Sequence, residues 1–88
     1  TKNIALQYTG TDIRCNAVCP GPTAVDRMDG REDAFMDLDF FAITDRHMDS
    51  SIPFAAAEDQ ANVIAFLASD LSRCITGQAI VTDNGRCL

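Results

Sequence analysis

Residues 13–23, IRCNAVCPGPT, constrain the chain more than any other stretch. Read at period two, Ile13, Cys15, Ala17 and Cys19 fall on one side and Arg14, Asn16 and Val18 on the other, the alternation of a short strand. The strand has to stop at Pro20-Gly21-Pro22, because proline lacks a ladder donor and fixes φ, while glycine permits turns that a side chain would block. In open α/β sheets ligands lie beyond the carboxyl ends of strands, so a strand running straight into a Gly/Pro loop is a place to look for one.

The neighbouring segments say what such a strand packs against. Ile4, Ala5 and Tyr8 stand at helical spacing, and Gly10 supplies a stop. A clearer helix is expected over 57–70, with Glu58 and Asp59 at the positive end of its dipole. Its apolar stripe is Ile64, Leu67, Ala68 and Leu71, widened by Val63 and Phe66, and it needs a sheet or a second helix to cover it. Gly77 then turns the chain into a second short strand over 78–83, closed by Asn84-Gly85. Two strands joined through a helix imply a parallel β-α-β unit with a right-handed crossover. Parallel strands need cover on both faces, which two strands cannot provide, so further strands are expected from other sequence or another chain. The chain opens on threonine inside a helix without an upstream capping residue, and is expected to be a piece of something longer.

Composition narrows the partners. The 88 residues make one small domain at most, with an ordinary 47% hydrophobic and 23% charged content. No apolar run approaches the roughly 20 residues of a membrane span and no signal peptide opens the chain, so no membrane partner and a cytoplasmic setting are expected. The net charge of −6 argues against a nucleic-acid partner, which calls for a clustered basic face. Most of that charge is local, since eight acids against three arginines between Asp26 and Asp49 carry −5 of it. Asp26-Arg-Met-Asp-Gly lacks the alternating oxygen ligands of an EF-hand loop. The four cysteines and the single histidine, His47, have no zinc spacing, so no metal is expected. Cys15 and Cys19 lie about 13 Å apart along a strand, too far for a disulfide. Buried, reduced thiols are expected.

The acidic stretch also holds Met28, Phe35, Met36, Phe40, Phe41 and Met48, many large adaptable apolar groups for a loop region. Leu38 and Phe41 are spaced for a short amphipathic helix. The mixture suits a lid over an apolar ligand and a plain packing face equally.

Taken together, Thr1-Lys-Asn-Ile-Ala-Leu, Ile13-Arg-Cys-Asn-Ala-Val-Cys-Pro-Gly-Pro, Ala61-Asn-Val-Ile-Ala-Phe-Leu-Ala-Ser-Asp and Ile75-Thr-Gly-Gln-Ala-Ile-Val-Thr-Asp resemble the carboxyl-terminal third of the classical short-chain dehydrogenases/reductases. The four motifs occur in the family's order and with familiar spacing. The resemblance covers both ends of the chain and hardly touches 26–56. It implies an α/β fold, the C-terminal part of a Rossmann-type doubly wound parallel sheet containing its last two strands. Residues 1–88 would then be the C-terminal portion of one NAD(P)-binding domain, with 26–56 as its substrate-loop region.

The resemblance further implies an oxidoreductase using NAD or NADP to move hydride between nicotinamide and a small-molecule carbonyl or secondary alcohol. The family's Gly-rich loop and Ser…Tyr-x-x-x-Lys set have no counterpart here, Lys2 and Tyr8 included, so no catalytic residue is assigned. By position the cofactor-binding residues are Pro20, Gly21, Pro22, Thr23 and Val25, the turn that receives the nicotinamide carboxamide. Val25 stands where many relatives carry threonine, and Thr23 offers a hydroxyl nearby. Met28, Phe35, Phe40 and Phe41 are the candidate substrate-lid residues. Asn16 matches a strand asparagine that serves as a structural hydrogen-bonder. Asn84 replaces a glycine of the terminal turn, where asparagine tolerates positive φ. The family's last strand and preceding helix commonly build a homo-oligomer, a tetramer or dimer. On this reading the 88 residues alone are inactive. The alternative is a non-catalytic acidic interaction module or pseudo-enzyme remnant.

Overall fold

The computed structural model describes residues 1–25 and 38–88. Helix α1 (Lys2–Gln7) leads to Gly10, whose φ of +83° turns the chain toward β1 (Ala17–Pro20) and β2 (Thr23–Ala24). Helix α2 (Leu38–Thr44), β3 (Ala55–Ala56), α3 (Ala57–Ala68), a 3₁₀ turn (Asp70–Ser72) and β4 (Ala79–Thr82) follow. Strands β1 and β4 pair in parallel from Ala17 opposite Ala79 to Pro20 opposite Thr82, with α3 between them in sequence. This is the expected β-α-β unit. A second parallel pair, Thr23 opposite Ala55 and Ala24 opposite Ala56, joins β2 to β3. Among the described residues no helix is long and apolar enough to cross a membrane.

The strand expected from residue 13 enters its ladder only at Ala17, because side chains tie down the residues before it. Asn16 Nδ2 donates to the Ile75 carbonyl at 2.9 Å, and its Oδ1 accepts from the Gln78 amide at 3.0 Å. Arg14 reaches the carbonyls of Ser69 at 3.1 Å, Ser72 at 3.1 Å and Ile75 at 3.3 Å. The period-two pattern nevertheless survives: Arg14, Asn16 and Val18 face Ile64 and Leu67 of α3 across a concavity of about 530 Å³.

Helix α3 ends two residues earlier than its stripe implied. The Ser69 hydroxyl donates to the Phe66 carbonyl at 2.8 Å and accepts from the Leu71 amide at 3.3 Å, a local alternative to the helical ladder. Leu71 is thereby rotated off the stripe and is 82% exposed, and its place inside is taken by Ser72. The Ser72 hydroxyl is fully buried, donating to the Leu67 carbonyl at 2.9 Å and accepting from Arg14 Nη1 at 3.1 Å. The guanidinium therefore sits at the carboxyl end of α3, where the helix dipole favours a cation. In the whole protein, Arg14→Met should strip the donors from these carbonyls and cost on the order of 2–3 kcal/mol of stability, read as a lower urea midpoint at unchanged m-value.

The cysteines do not match the expectation of buried thiols. All four are free, but Cys19, Cys74 and Cys87 are exposed and Cys15 is half-buried. Their faces and loops are not covered by the elements described. The same holds for Ile64 and Val81, which stay 55% and 64% exposed.

Candidate functional site

The carboxyl ends of β1 and β4 converge on the Pro-Gly turn. Pro20 is the last residue of β1 rather than the first of the loop, and the Gly21 amide extends the ladder by donating to the Thr82 carbonyl at 3.1 Å. Gly21 lies flat against the residue after β4: a Cβ placed on it would meet the Asp83 side chain and stand 2.8 Å from Asp83 Cα. Only glycine allows that approach. The Thr23 hydroxyl donates back to the Gly21 carbonyl at 3.0 Å and tightens the turn.

Strand β3 supports the turn from the other side. The Ala55 amide donates to the Pro22 carbonyl at 3.1 Å, and Ala55 is only 3% exposed. Successive peptide groups of a strand point alternately to its two sides, so with the Pro22 carbonyl turned toward β3 the N–H and C=O of Thr23 face away from it. One residue thus offers a main-chain donor and acceptor on an outward edge, the arrangement that pairs with a carboxamide.

Side chains fix the β4 end of the site. Gln60 of α3, itself buried, donates from Nε2 to the Thr82 carbonyl at 2.8 Å and accepts the Thr82 hydroxyl. The Asp83 carboxylate accepts the amides of Gly85 at 2.8 Å and Cys87 at 3.0 Å, and these hold its pKa below the usual carboxylate range. Hydrogen bonding to that carboxylate pushes the Cys87 thiol up. Asn84 adopts φ +58°, as expected for its place in the turn. Ala55, Gln60, Val63, Thr82 and Asp83 line a concavity of about 350 Å³ behind the strand ends.

Of the residues singled out from sequence, Pro20, Gly21, Pro22 and Thr23 form this one turn, with Gly21 to Thr23 half-buried. Val25 follows β2 and is 54% exposed. Neither of the two concavities described is lined by any of the five. Phe40 lies in α2 and is 60% exposed, and Phe41 belongs to the same helix. Met28 and Phe35 lie outside the described residues. Gln60 and Arg86 were not singled out, although both brace the turn or its supports. Among the described residues no group of three His, Cys, Asp or Glu side chains could hold a metal ion.

A parallel strand pair with a crossover helix, opening at its carboxyl end onto a glycine-dependent turn, defines part of a Rossmann-like α/β protein. The family model described as enoyl-(acyl carrier protein) reductase matches residues 1–86. The chain is 36% identical over 89 residues to dehydrogenase/reductase SDR family member 6 of Rattus norvegicus, covering 97% of this chain and 35% of the relative. It is also 36% identical over 93 residues to the short chain dehydrogenase adrF of Penicillium rubens, covering 96% and 35%. Among solved structures, 4-hydroxyisoleucine dehydrogenase complexed with NADH superposes with a TM-score of 0.67 at 25% identity, over 96% of this chain and 33% of that one. The chain belongs to the short-chain dehydrogenase/reductase family. It spans about a third of the length of the curated relatives it matches.

Proposed function

We propose that these residues are the C-terminal portion of one NAD(P)-binding Rossmann domain, with 26–56 as its substrate-loop region, in an NAD(P)(H)-dependent oxidoreductase. The observation that carries the reading is the Thr23 peptide edge, held by β3 on one side and by the Gly21 contact with Asp83 on the other. Thr23 N–H and C=O bind the carboxamide and orient the nicotinamide ring, while Pro20 and Pro22 keep the turn rigid so that little ordering is left to the binding step. When bound, the cofactor supplies a hydride to a carbonyl carbon or accepts one from a secondary alcohol. The Thr23 hydroxyl is committed to Gly21, so its part is to shape the turn. Val25 presents an apolar surface beside the seat, and Met28, Phe35, Phe40 and Phe41 are the candidate substrate-lid residues.

The solved neighbour bound to NADH and the dehydrogenase names of the curated relatives support this reading. A homo-oligomer joined through α3 and β4 is part of the same reading. The free thiols fit a reducing cytoplasm. Titration of the whole protein with NADH and NADPH, followed by fluorescence and thermal stability together, tests it. Saturable binding of one dinucleotide with a raised midpoint is expected. Binding of neither would sink the oxidoreductase reading in favour of a pseudo-enzyme.

A further inference from the structure

We infer that Arg86 is a positioning residue for the dinucleotide seat, acting through β3. The inference rests on the oxidoreductase reading and adds to it a residue outside the turn.

Arg86 follows the last strand in a tail whose other residues are half-buried or exposed, yet it is only 9% exposed. The chain is reversed there by Asn84 at φ +58° and Gly85 at φ +81°, and the Arg86 amide donates to the Asp83 carbonyl at 3.0 Å. From this turn the guanidinium Nη1 donates to the Ile52 carbonyl, and the cation stands 5.1 Å from the centre of the Phe54 ring. The Arg86 carbonyl accepts the Asp49 amide at 2.8 Å, and Asn84 Nδ2 donates to the Pro53 carbonyl at 3.3 Å. The C-terminal turn thus grips 49–54 along its length.

The next residue is Ala55, whose amide holds the Pro22 carbonyl and which pairs with Thr23. A shift of Phe54 therefore reaches the Thr23 peptide edge through Ala55 alone, and a shift of Ile52 reaches it through Pro53, Phe54 and Ala55. The buried Nε of Arg86 has no acceptor among the described residues, and a buried cation with an idle donor costs stability. Keeping it there makes sense for the placement it imposes on 52–54. Lysine at this position would retain the charge and a donor group for the Ile52 carbonyl but lose the planar group over Phe54.

Arg86→Leu, Arg86→Lys and, as a remote destabilised control, Ser72→Ala are compared in the whole protein. NADH and NADPH affinity is read by fluorescence and the Ala55 amide by hydrogen exchange. Arg86→Leu is expected to raise the dinucleotide Kd about tenfold and speed exchange at Ala55, with Arg86→Lys between it and wild type and Ser72→Ala within about twofold of wild type. An unchanged Kd in Arg86→Leu overturns the inference, as does an equal weakening in Ser72→Ala. Should Arg86→Leu fail to fold, Arg86→Lys decides: a Kd raised by about threefold or more supports the inference, and an unchanged one overturns it. A wild-type protein that binds neither dinucleotide overturns this inference together with the reading beneath it, whereas wild-type binding that ignores Arg86 overturns it alone.

Discussion

In the whole protein, replacing Gly21 by alanine is expected to raise the dinucleotide Kd by at least about tenfold, equivalent to roughly 1.4 kcal/mol, and to lower the melting temperature. The added methyl has nowhere to go. It would stand 2.8 Å from Asp83 Cα and closer still to Asp83 Cβ, and neither is the far end of a flexible side chain. Asp83 cannot simply retreat, because its carboxylate is bonded to the Gly85 and Cys87 amides. The preceding carbonyl, that of Thr82, is held by both Gly21 N–H and Gln60. Relief therefore comes from parting the ends of β1 and β4, with loss of the Gly21 to Thr82 hydrogen bond. Overpacking of this kind costs about 1–3 kcal/mol, and the broken bond adds about 1 kcal/mol. The displaced strand end carries the Thr23 edge with it. Gly10→Ala is the control: its φ of +83° makes alanine strained, but among the described residues nothing lies within 4 Å of the new methyl. It should cost about 1 kcal/mol and leave binding unchanged. A Gly21→Ala protein that binds the dinucleotide like wild type would show that the turn is not the seat.

The features legible in sequence were those with a period or a steric signature. Alternation along 13–19 placed Arg14, Asn16 and Val18 on one face, and Gln78 onward read as the second strand of a parallel pair. Pro20-Gly21-Pro22 marked the turn because few other residue types can make it. What escaped had neither signature. Strands β2 and β3 are two residues each, too short for any pattern, and only the fold brings Thr23 opposite Ala55. Leu71 kept the helical spacing of its stripe while the Ser69 hydroxyl ended the helix beneath it, so a local side-chain competitor overrode the periodicity.

The partners of the site were harder still. Nothing in the sequence sets Gln60 apart from any polar residue in the first turns of a helix, and its bond to Thr82 exists only once the fold brings α3 to the end of β4. Arg86 had one available signal: Asn84-Gly85 forecasts a reversal, which returns the following residue toward the sheet instead of into solvent. That signal gives a direction and no partner. Ile52 and Phe54 come from the far end of the stretch between β2 and β3, and no local rule connects them to the C-terminal turn. The cysteine expectation failed for a related reason. Cys19 alternates correctly, but alternation assigns a side chain to a face without saying whether anything covers that face.

The 88 residues taken alone should show no cooperative thermal transition as a monomer and no saturable NADH binding. The argument is one of missing cover. Among the described residues the buried apolar side chains are Ala5, Ala55 and Leu67, two of them alanines that remove little apolar area from water. Ordering each residue costs about 1–2 kcal/mol in backbone entropy, and a core of this size offsets little of it. The specific polar contacts do not change the balance, since Arg14, Asn16 and Gln60 fix geometry mainly by satisfying groups that would otherwise be bonded to water. Ile64 and Val81 stand open on the elements that a larger sheet or a second copy would cover, and β1 and β4 have only each other as neighbours among the described residues. A calorimetric scan of the purified chain, repeated with NADH and at several protein concentrations, separates the cases. A broad, non-cooperative signal indifferent to NADH is the expected result, and it means that the turn acquires its geometry only inside a complete domain. A midpoint rising with protein concentration would mean that copies of the chain supply the missing cover to one another. A sharp, reversible monomer transition that NADH moves upward would overturn the prediction, because it would require the Thr23 edge and its braces to hold their places without any neighbouring strand.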